Sequence, residues 1–301
     1  MRHAEVAPAV AILGFGELGA VLAVALRDAG RPVPRAFSRP KSTPAESEAV
    51  RRWVESSGAR AVATLQEALD GAGLVLVCVP GSASRAIAAR ASAALRPGAL
   101  WVDLASASPE DKEAASRDIA AAGALYVDAA VLGAVAASGA RVPILAAGSG
   151  AAGFAAAGAG FGLDITCIDA PAGAAARVKL LRSVYMKGRD ALVAEMLLGA
   201  RHHGLERFVA ESIRGPGEEV RFPALADRVL SSLALHAGRR AEELGASASL
   251  LRASGIEAAA TEGAERRLRL LGQLVLVERF RGAQLNDAAG VLDVLERAAS
   301  R

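Results

Sequence analysis

Aromatic rings are scarce: Phe, Trp and Tyr make up 4% of the 301 residues. A core built on large rings is thereby excluded, so Ala, Val and Leu must fill it, and side chains that small let helices approach closely. Cysteine is nearly missing too. The two present, Cys78 and Cys167, lie far apart in apolar runs. Neither has the CxxC or Cys/His spacing that a metal site needs, and both are expected to be buried free thiols in a reducing compartment. Nor is one sign of charge in excess. The 35 Lys and Arg against 32 Asp and Glu leave a formal charge of +3, with the signs interspersed, which argues against a nucleic-acid partner. Residues 10–26 come nearest to a signal peptide, but Glu17 interrupts them and no small-residue cleavage pattern follows. A cytoplasmic protein with no nucleic-acid or membrane partner is the expectation.

Hydrophobic residues at 52% and charged residues at 22% place the chain among soluble globular proteins, and its length calls for one large or two ordinary domains. Short apolar runs at 10–13, 33–37, 74–79, 100–104, 125–127 and 144–147 alternate with helical patterns at 20–29, 45–56, 65–69 and 109–122. That alternation predicts a parallel α/β sheet with helices on both faces. Past Asp169 the strand signals stop, and Ala/Leu/Arg/Glu segments continue to the end, broken at Gly204, Gly215-Pro216-Gly217 with Pro223, and Gly255. The expected fold class is α/β: a Rossmann-type parallel-sheet domain over 1–170, then an all-helical domain over 171–301.

The first strand pattern runs into Gly14-Phe15-Gly16-Glu17-Leu18-Gly19 and then directly into a helix pattern. This is the G-x-G-x-x-G of a dinucleotide loop. The first glycine permits the tight turn, the second lets a pyrophosphate approach the backbone, and the third allows close helix-to-strand packing, while the helix N-terminus offers amide dipoles. About 20 residues further on, an NAD site carries a carboxylate for the ribose 2′-hydroxyl. Here the chain reads Phe37-Ser38-Arg39-Pro40-Lys41, with no acid. Ser38, Arg39 and Lys41 suit a 2′-phosphate instead, so NADP(H) is preferred over NAD(H). Val79 and Pro80, ending the 74–79 strand pattern, join the expected cofactor site.

With these elements placed, the sequence resembles the β-hydroxyacid dehydrogenase family, which includes 3-hydroxyisobutyrate and 6-phosphogluconate dehydrogenases. The resemblance runs over the whole chain. Asp103-Leu104-Ala105-Ser106-Ala107-Ser108-Pro109 is similar to the family's D-x-S-T-x-x-P segment, which implies that Ser106 lies near the nicotinamide and the substrate. Asp128-Ala129-Ala130-Val131-Leu132-Gly133-Ala134 falls where the family has its substrate segment D-A-P-V-S-G-G. Leu132 replaces the serine there, and Leu132 and Gly133 take the substrate-binding positions. Gly173, Ala175, Lys179 and Ser183 match G-x-G-x-x-x-K-x-x-x-N, which implies that Lys179 is the general acid–base, with Ser183 in place of the family's Asn. The stretch 179–188 and His236-Ala237-Gly238-Arg239-Arg240 look closest to a less characterised branch with a phosphogluconate dehydrogenase-like C-terminal domain. Family members commonly form homodimers, and the same is expected here.

Moving a hydride to or from a carbonyl carbon leaves charge on its oxygen, where a proton must be delivered or removed. Lysine can do this where burial or neighbouring cations bring its pKa down. On a helix Ser183 lies about 40° around and about 6 Å along from Lys179, so the two share a face. Lys187, a further turn away, reaches only the far end of a longer anionic substrate. His236 and Arg240 form part of a helical stripe able to bind a carboxylate or phosphate, although the neighbouring Glu242 and Glu243 favour a salt-bridged solvent face. The function expected is an NADP(H)-dependent oxidoreductase acting on a small polar hydroxy acid or carbonyl compound, with no metal. An imine reductase of the same fold and a non-catalytic NADP-binding protein stay open as alternatives.

Overall fold

In the computed structural model, residues 9–39, 43–202, 204–213, 222–253, 258–273 and 288–299 are described. The chain divides into two compact units, Met1–Lys179 and Leu180–Arg301.

A strand covered on both faces needs apolar side chains at every position, and β1 (Ala9–Leu13) and β4 (Ala72–Val77) have them. Between these come α1 (Glu17–Asp28), β2 (Arg35–Phe37), α2 (Pro44–Ser57), β3 (Arg60–Ala61) and α3 (Leu65–Leu69). After β4 follow α4 (Gly81–Ala91), β5 (Leu100–Asp103), α5 (Pro109–Ala121), β6 (Leu125–Val131), α6 (Val135–Ser138), β7 (Ile144–Ala147), α7 (Ala151–Ala159) and β8 (Ile165–Cys167). Helix starts are written locally: Thr43, Thr64 and Ser108 each accept the amide of the third residue onward, Glu46, Glu67 and Asp111.

The eight strands lie in the order β3-β2-β1-β4-β5-β6-β7-β8. Alternate residues feed two cores: Val10, Ile12, Leu74 and Leu76 pack with α1 on one face, and Ala11, Leu13, Val75 and Val77 pack with α3 and α4 on the other. Four of the rings sit at the centre of the sheet domain, with Trp101, Tyr126, Phe15 and Phe154 almost fully buried.

Two features depart from the expected all-parallel sheet. β7 pairs antiparallel to β6, because the 132–143 connection holds only the single turn α6 and a short 3₁₀ turn, too little helix for a crossover. β3 and β8 were not expected as strands; both are short and partly exposed, so neither carries an apolar run. Cys167, at the end of β8, is exposed rather than buried. Cys78 is partly buried, and burial together with the charge of Asp103 pushes its thiol pKa up.

The second unit is helical, as its composition predicts. It takes up most of α8 (Ala174–His202), followed by α9 (Glu206–Ser212), α10 (Phe222–Ala253), α11 (Ala259–Gln273) and α12 (Ala288–Ala299). Leu230, Leu233, Ala237, Ala241 and Leu244 of α10 form one apolar stripe, packed with Leu268 and Leu271 of α11 and Val291 of α12. Small residues set the spacing: a Cβ on Gly272 would stand 2.9 Å from the Cα of Gly238, so α10 and α11 touch backbone to backbone. Gly204 breaks the chain after α8 with φ +68, whereas the expected breaks at 215–217 and Gly255 lie outside the described residues. The units part at 179/180, inside α8, rather than at 170/171. Contacts of the first turns of α8 with the sheet domain, described below, are the reason. Among the described residues no helix is long and apolar enough to cross a membrane.

Candidate active site

Gly14 follows β1 with φ +84, and a Cβ there would lie 2.7 Å from the carbonyl oxygen of Cys78. A Cβ on Gly19 would lie 2.8 Å from the oxygen of Gly14, so turn and helix are in direct contact. Gly16 differs: its Cβ would meet only Trp53, at 3.9 Å, and it precedes an α1 N-terminus that no side chain caps. Open backbone and uncapped amides are what a pyrophosphate needs, so the loop fits the group. Phe15 and Leu18 turn their side chains into the core, leaving their main chain as the part able to meet a ligand, and Glu17 is exposed. Gly14→Ala is expected to cost about 1–2 kcal/mol from the left-handed φ alone, with the Cys78 clash added, and to abolish nucleotide binding. Thermal melts and nucleotide fluorescence titration check both.

A cavity of ≈ 440 Å³ opens beside this loop, lined by Gly14, Phe37, Ser38, Arg39, Val79 and Pro80 and by Ser82, Ala83, Ala86, Ile87 and Arg90 of α4. The structure thus gathers Gly14, Ser38, Arg39, Val79 and Pro80 from three strand ends. Lys41 lies outside the described residues. The α4 residues escaped the sequence reading, although 82/83, 86/87 and 90 recur at the spacing of one helical face.

Below the loop lies a buried charge cluster that the sequence did not announce. Asp103 and Asp128 are direct partners on β5 and β6, and both are fully buried. Lys112 of α5 lies between them: its Nζ donates to the Asp103 carbonyl at 2.6 Å and stands 3.1 Å from Asp103 Oδ1 and 3.5 Å from Asp128 Oδ1. The hydroxyls of Ser84 and Tyr126 donate to Asp103 Oδ2. Burial, and then the Asp103 charge, push the Tyr126 phenol pKa far up, so it stays a donor.

The other carboxylate oxygens reach the site. Asp103 Oδ1 accepts the amide of Ala105 at 3.0 Å, shaping the turn that carries Ser106. Asp128 Oδ2 accepts the amides of Gly173 and Ala176, at 2.9 and 3.1 Å, and so caps the start of α8. Arg177 adds an ion pair with Glu113 at 2.7 Å. Held this way, α8 brings Lys179 Nζ to 2.7 Å from Ser106 Oγ. At the opposite side of the Ser106 turn, a Cβ on Gly81 would lie 2.1 Å from the Ser106 carbonyl oxygen, so only glycine fits there.

Other expected substrate contacts are placed differently. Leu132 donates its amide to Pro143 at 2.8 Å and packs its side chain against Ala130, Leu145 and Ala175, leaving Gly133 and Ala134 as the exposed part of that segment. In the second unit Ser183 is buried. Lys187 is held by Glu243 at 3.1 Å, and Arg240 by Asp190 at 2.7 Å and by Ser232. Burial lowers the Arg240 pKa, and Asp190 opposes that shift. His236 is exposed on α10, and Arg239 pairs with Glu243 at 2.8 Å. The salt-bridged reading of this stripe thus describes it better than a row of cations awaiting an anion.

A glycine loop on the first strand of a doubly wound sheet, with a helical unit following, defines the class: a dinucleotide-binding oxidoreductase fold. Residues 9–158 match the NAD binding domain of 6-phosphogluconate dehydrogenase, and residues 200–271 match a domain of unknown function (DUF1932). A conserved hypothetical protein from Sinorhizobium meliloti 1021 is 28% identical, with a TM-score of 0.72 over 97% of each chain. The conserved protein MTH1747, described as structurally similar to 3-hydroxyacid dehydrogenases, is also 28% identical, at TM-score 0.69 over 88% of this chain and 96% of its own. The 3-hydroxyisobutyrate dehydrogenase of Mycobacterium tuberculosis, solved with L-serine, is 22% identical, at TM-score 0.71 over 96% of this chain and 99% of its own. No curated protein matches the chain. The chain thus joins a 6-phosphogluconate dehydrogenase-type NAD binding domain to that uncharacterised C-terminal type, on the fold of the 3-hydroxyacid dehydrogenases.

Proposed function

We propose that the protein is an NADP(H)-dependent oxidoreductase acting on a small polar hydroxy acid or carbonyl compound, with Lys179 as general acid–base. The observation that carries this reading is the 2.7 Å hydrogen bond from Lys179 to Ser106, made at the end of β5 in the same unit as the glycine loop. Bound there, the nicotinamide would supply or accept a hydride. Lys179 then delivers or removes the proton at the substrate oxygen, and Ser106 holds the ammonium in place by accepting its hydrogen bond. Ser183, one turn later on α8, is the second group proposed for that oxygen. Preference for the 2′-phosphate rests on Ser38 and Arg39 lining a cavity whose wall holds no carboxylate among the described residues.

The exposed Gly133 and Ala134 supply main chain and no hydroxyl, so we place a compact polar substrate there. Lys187, His236 and Arg240 are proposed only as contacts to its distal end, with Lys187 and Arg240 exchanging Glu243 and Asp190 for it. A cytoplasmic homodimer is the proposed form. The test is a panel of hydroxy acids, ketones, aldehydes and cyclic imines followed by NADPH absorbance. Turnover of a hydroxy acid or carbonyl compound, faster with NADP(H) than NAD(H), is expected. Faster turnover of an imine would transfer the assignment to imine reduction, and tight NADPH binding with no turnover would make the chain a nucleotide-binding protein.

A further inference from the structure

We propose that Arg90, in the last turn of α4, is a second cation of the 2′-phosphate subsite and sets cofactor choice together with Arg39. The inference rests on the NADP(H) reading above and adds to it a residue from a different element.

Arg39 and Arg90 line the same ≈ 440 Å³ cavity, whose wall includes no Asp or Glu among the described residues. Neither guanidinium has a carboxylate partner among the described residues. Their neighbours do: Arg85 on the same helix stands 3.9 Å from Asp111, and Arg35 on the strand leading to Arg39 stands 3.9 Å from Asp70. Two unneutralised cations on one concave surface repel each other and raise the local positive potential, an arrangement that an anion between them relieves. The rest of the wall tells which anion. Ser82, Ala83, Ala86 and Ile87 give α4 a low, mostly apolar face between the glycine loop and Arg90, suited to a flat ring and offering it no charge. From Ser82 to Arg90 the helix rises about 12 Å, so the cavity extends well past the phosphate loop. In an adenosine that carries a phosphate on its ribose, ring and phosphate both branch from the sugar, so the ring can lie on the apolar wall while the phosphate meets the guanidinium groups that line the same cavity. Position alone gives Arg90 one other role, as a cation at the C-terminal end of α4, where it favours the helix dipole. That role is indifferent to which nucleotide binds.

Fluorescence titration of NADPH and NADH, with competition by 2′,5′-ADP and 5′-AMP, separates these roles in wild type, Arg90→Gln, Arg90→Lys and Arg39→Gln. The expected result is that Arg90→Gln loses about tenfold in affinity for NADPH and 2′,5′-ADP, the scale of a lost charge-assisted hydrogen bond. NADH and 5′-AMP should change less than about twofold on the same scale. Arg90→Lys should retain an intermediate preference. Equal loss for both nucleotides, or no loss for either, overturns the proposal; equal loss would mean that Arg90 stacks on the adenine or supports the fold. If Arg39→Gln alone removes selectivity, Arg90 has no part in it and the NADP(H) reading stands. If wild type itself binds NADH as tightly as NADPH, it is the cofactor reading that fails.

Discussion

Replacing Lys112 by Met is expected to lower the unfolding free energy by about 3–5 kcal/mol, the range for breaking a buried ion pair by removing one partner. Met keeps the length and the apolar stem, so the loss reports charge rather than volume. Lys112 is 1% exposed, between two carboxylates that are 0% exposed. Those carboxylates face each other across adjacent strands, where like charges repel. Taking away the ammonium leaves Asp103 with two hydroxyls and an amide, and Asp128 with two amides, good partners for one charge each but no counterion for the pair. Neutralising one of the acids should therefore return much of the loss. In an Asp128→Asn background the cost of Lys112→Met should fall by more than half. Urea denaturation of the four proteins in this cycle measures the coupling. A loss below about 1 kcal/mol for Lys112→Met, no larger than an ordinary surface change, would mean that water or rearrangement neutralises the cluster.

Such a cluster gives little net stability compared with an apolar core. Its geometry points to another use, since one acid shapes the Ser106 turn, the other caps the helix of Lys179, and the lysine ties the two strands' acids together. None of this is visible along the chain. Lys112 sits in Pro109-Glu110-Asp111-Lys112-Glu113, which reads as the polar first turn of a surface helix, and its burial is decided by strands elsewhere. Asp128 reads as the start of a substrate segment, yet its carboxylate acts 45 residues away as a helix cap. Local signals did carry the glycine loop and the buried strands, because each depends on neighbours in sequence. Short exposed strands such as β3, the reversed pairing of β7, and the α4 wall of the cavity depend on what packs against them. The same holds for the cations of the second unit: Lys187 and Arg240 read as anion contacts until Glu243 and Asp190 are seen beside them.

Lys179→Ala is expected to slow turnover by about 10²–10⁴, the usual contribution of a positioned general acid–base, while NADPH affinity stays within about twofold, too small a change to signal a lost contact. The split follows from where the side chain sits. Lys179 meets Ser106 at the end of β5, whereas the nucleotide cavity is walled by Gly14, the ends of β2 and β4, and α4, with no residue of α8 among the described residues. Stability should hold as well, because the start of α8 is fixed by the Asp128 cap and by the Arg177–Glu113 pair, neither of which involves Lys179. Ser106→Ala supplies the companion test. It removes the acceptor but leaves the ammonium, so its loss in kcat should be smaller than that of Lys179→Ala. The double variant should be hardly worse than Lys179→Ala, as for two groups that act as a unit. Stopped-flow NADPH absorbance with a substrate drawn from the panel gives kcat and KM for all four proteins. Turnover close to wild type in Lys179→Ala would remove lysine from the chemistry and leave Ser106 or a group on the substrate as the source of the proton.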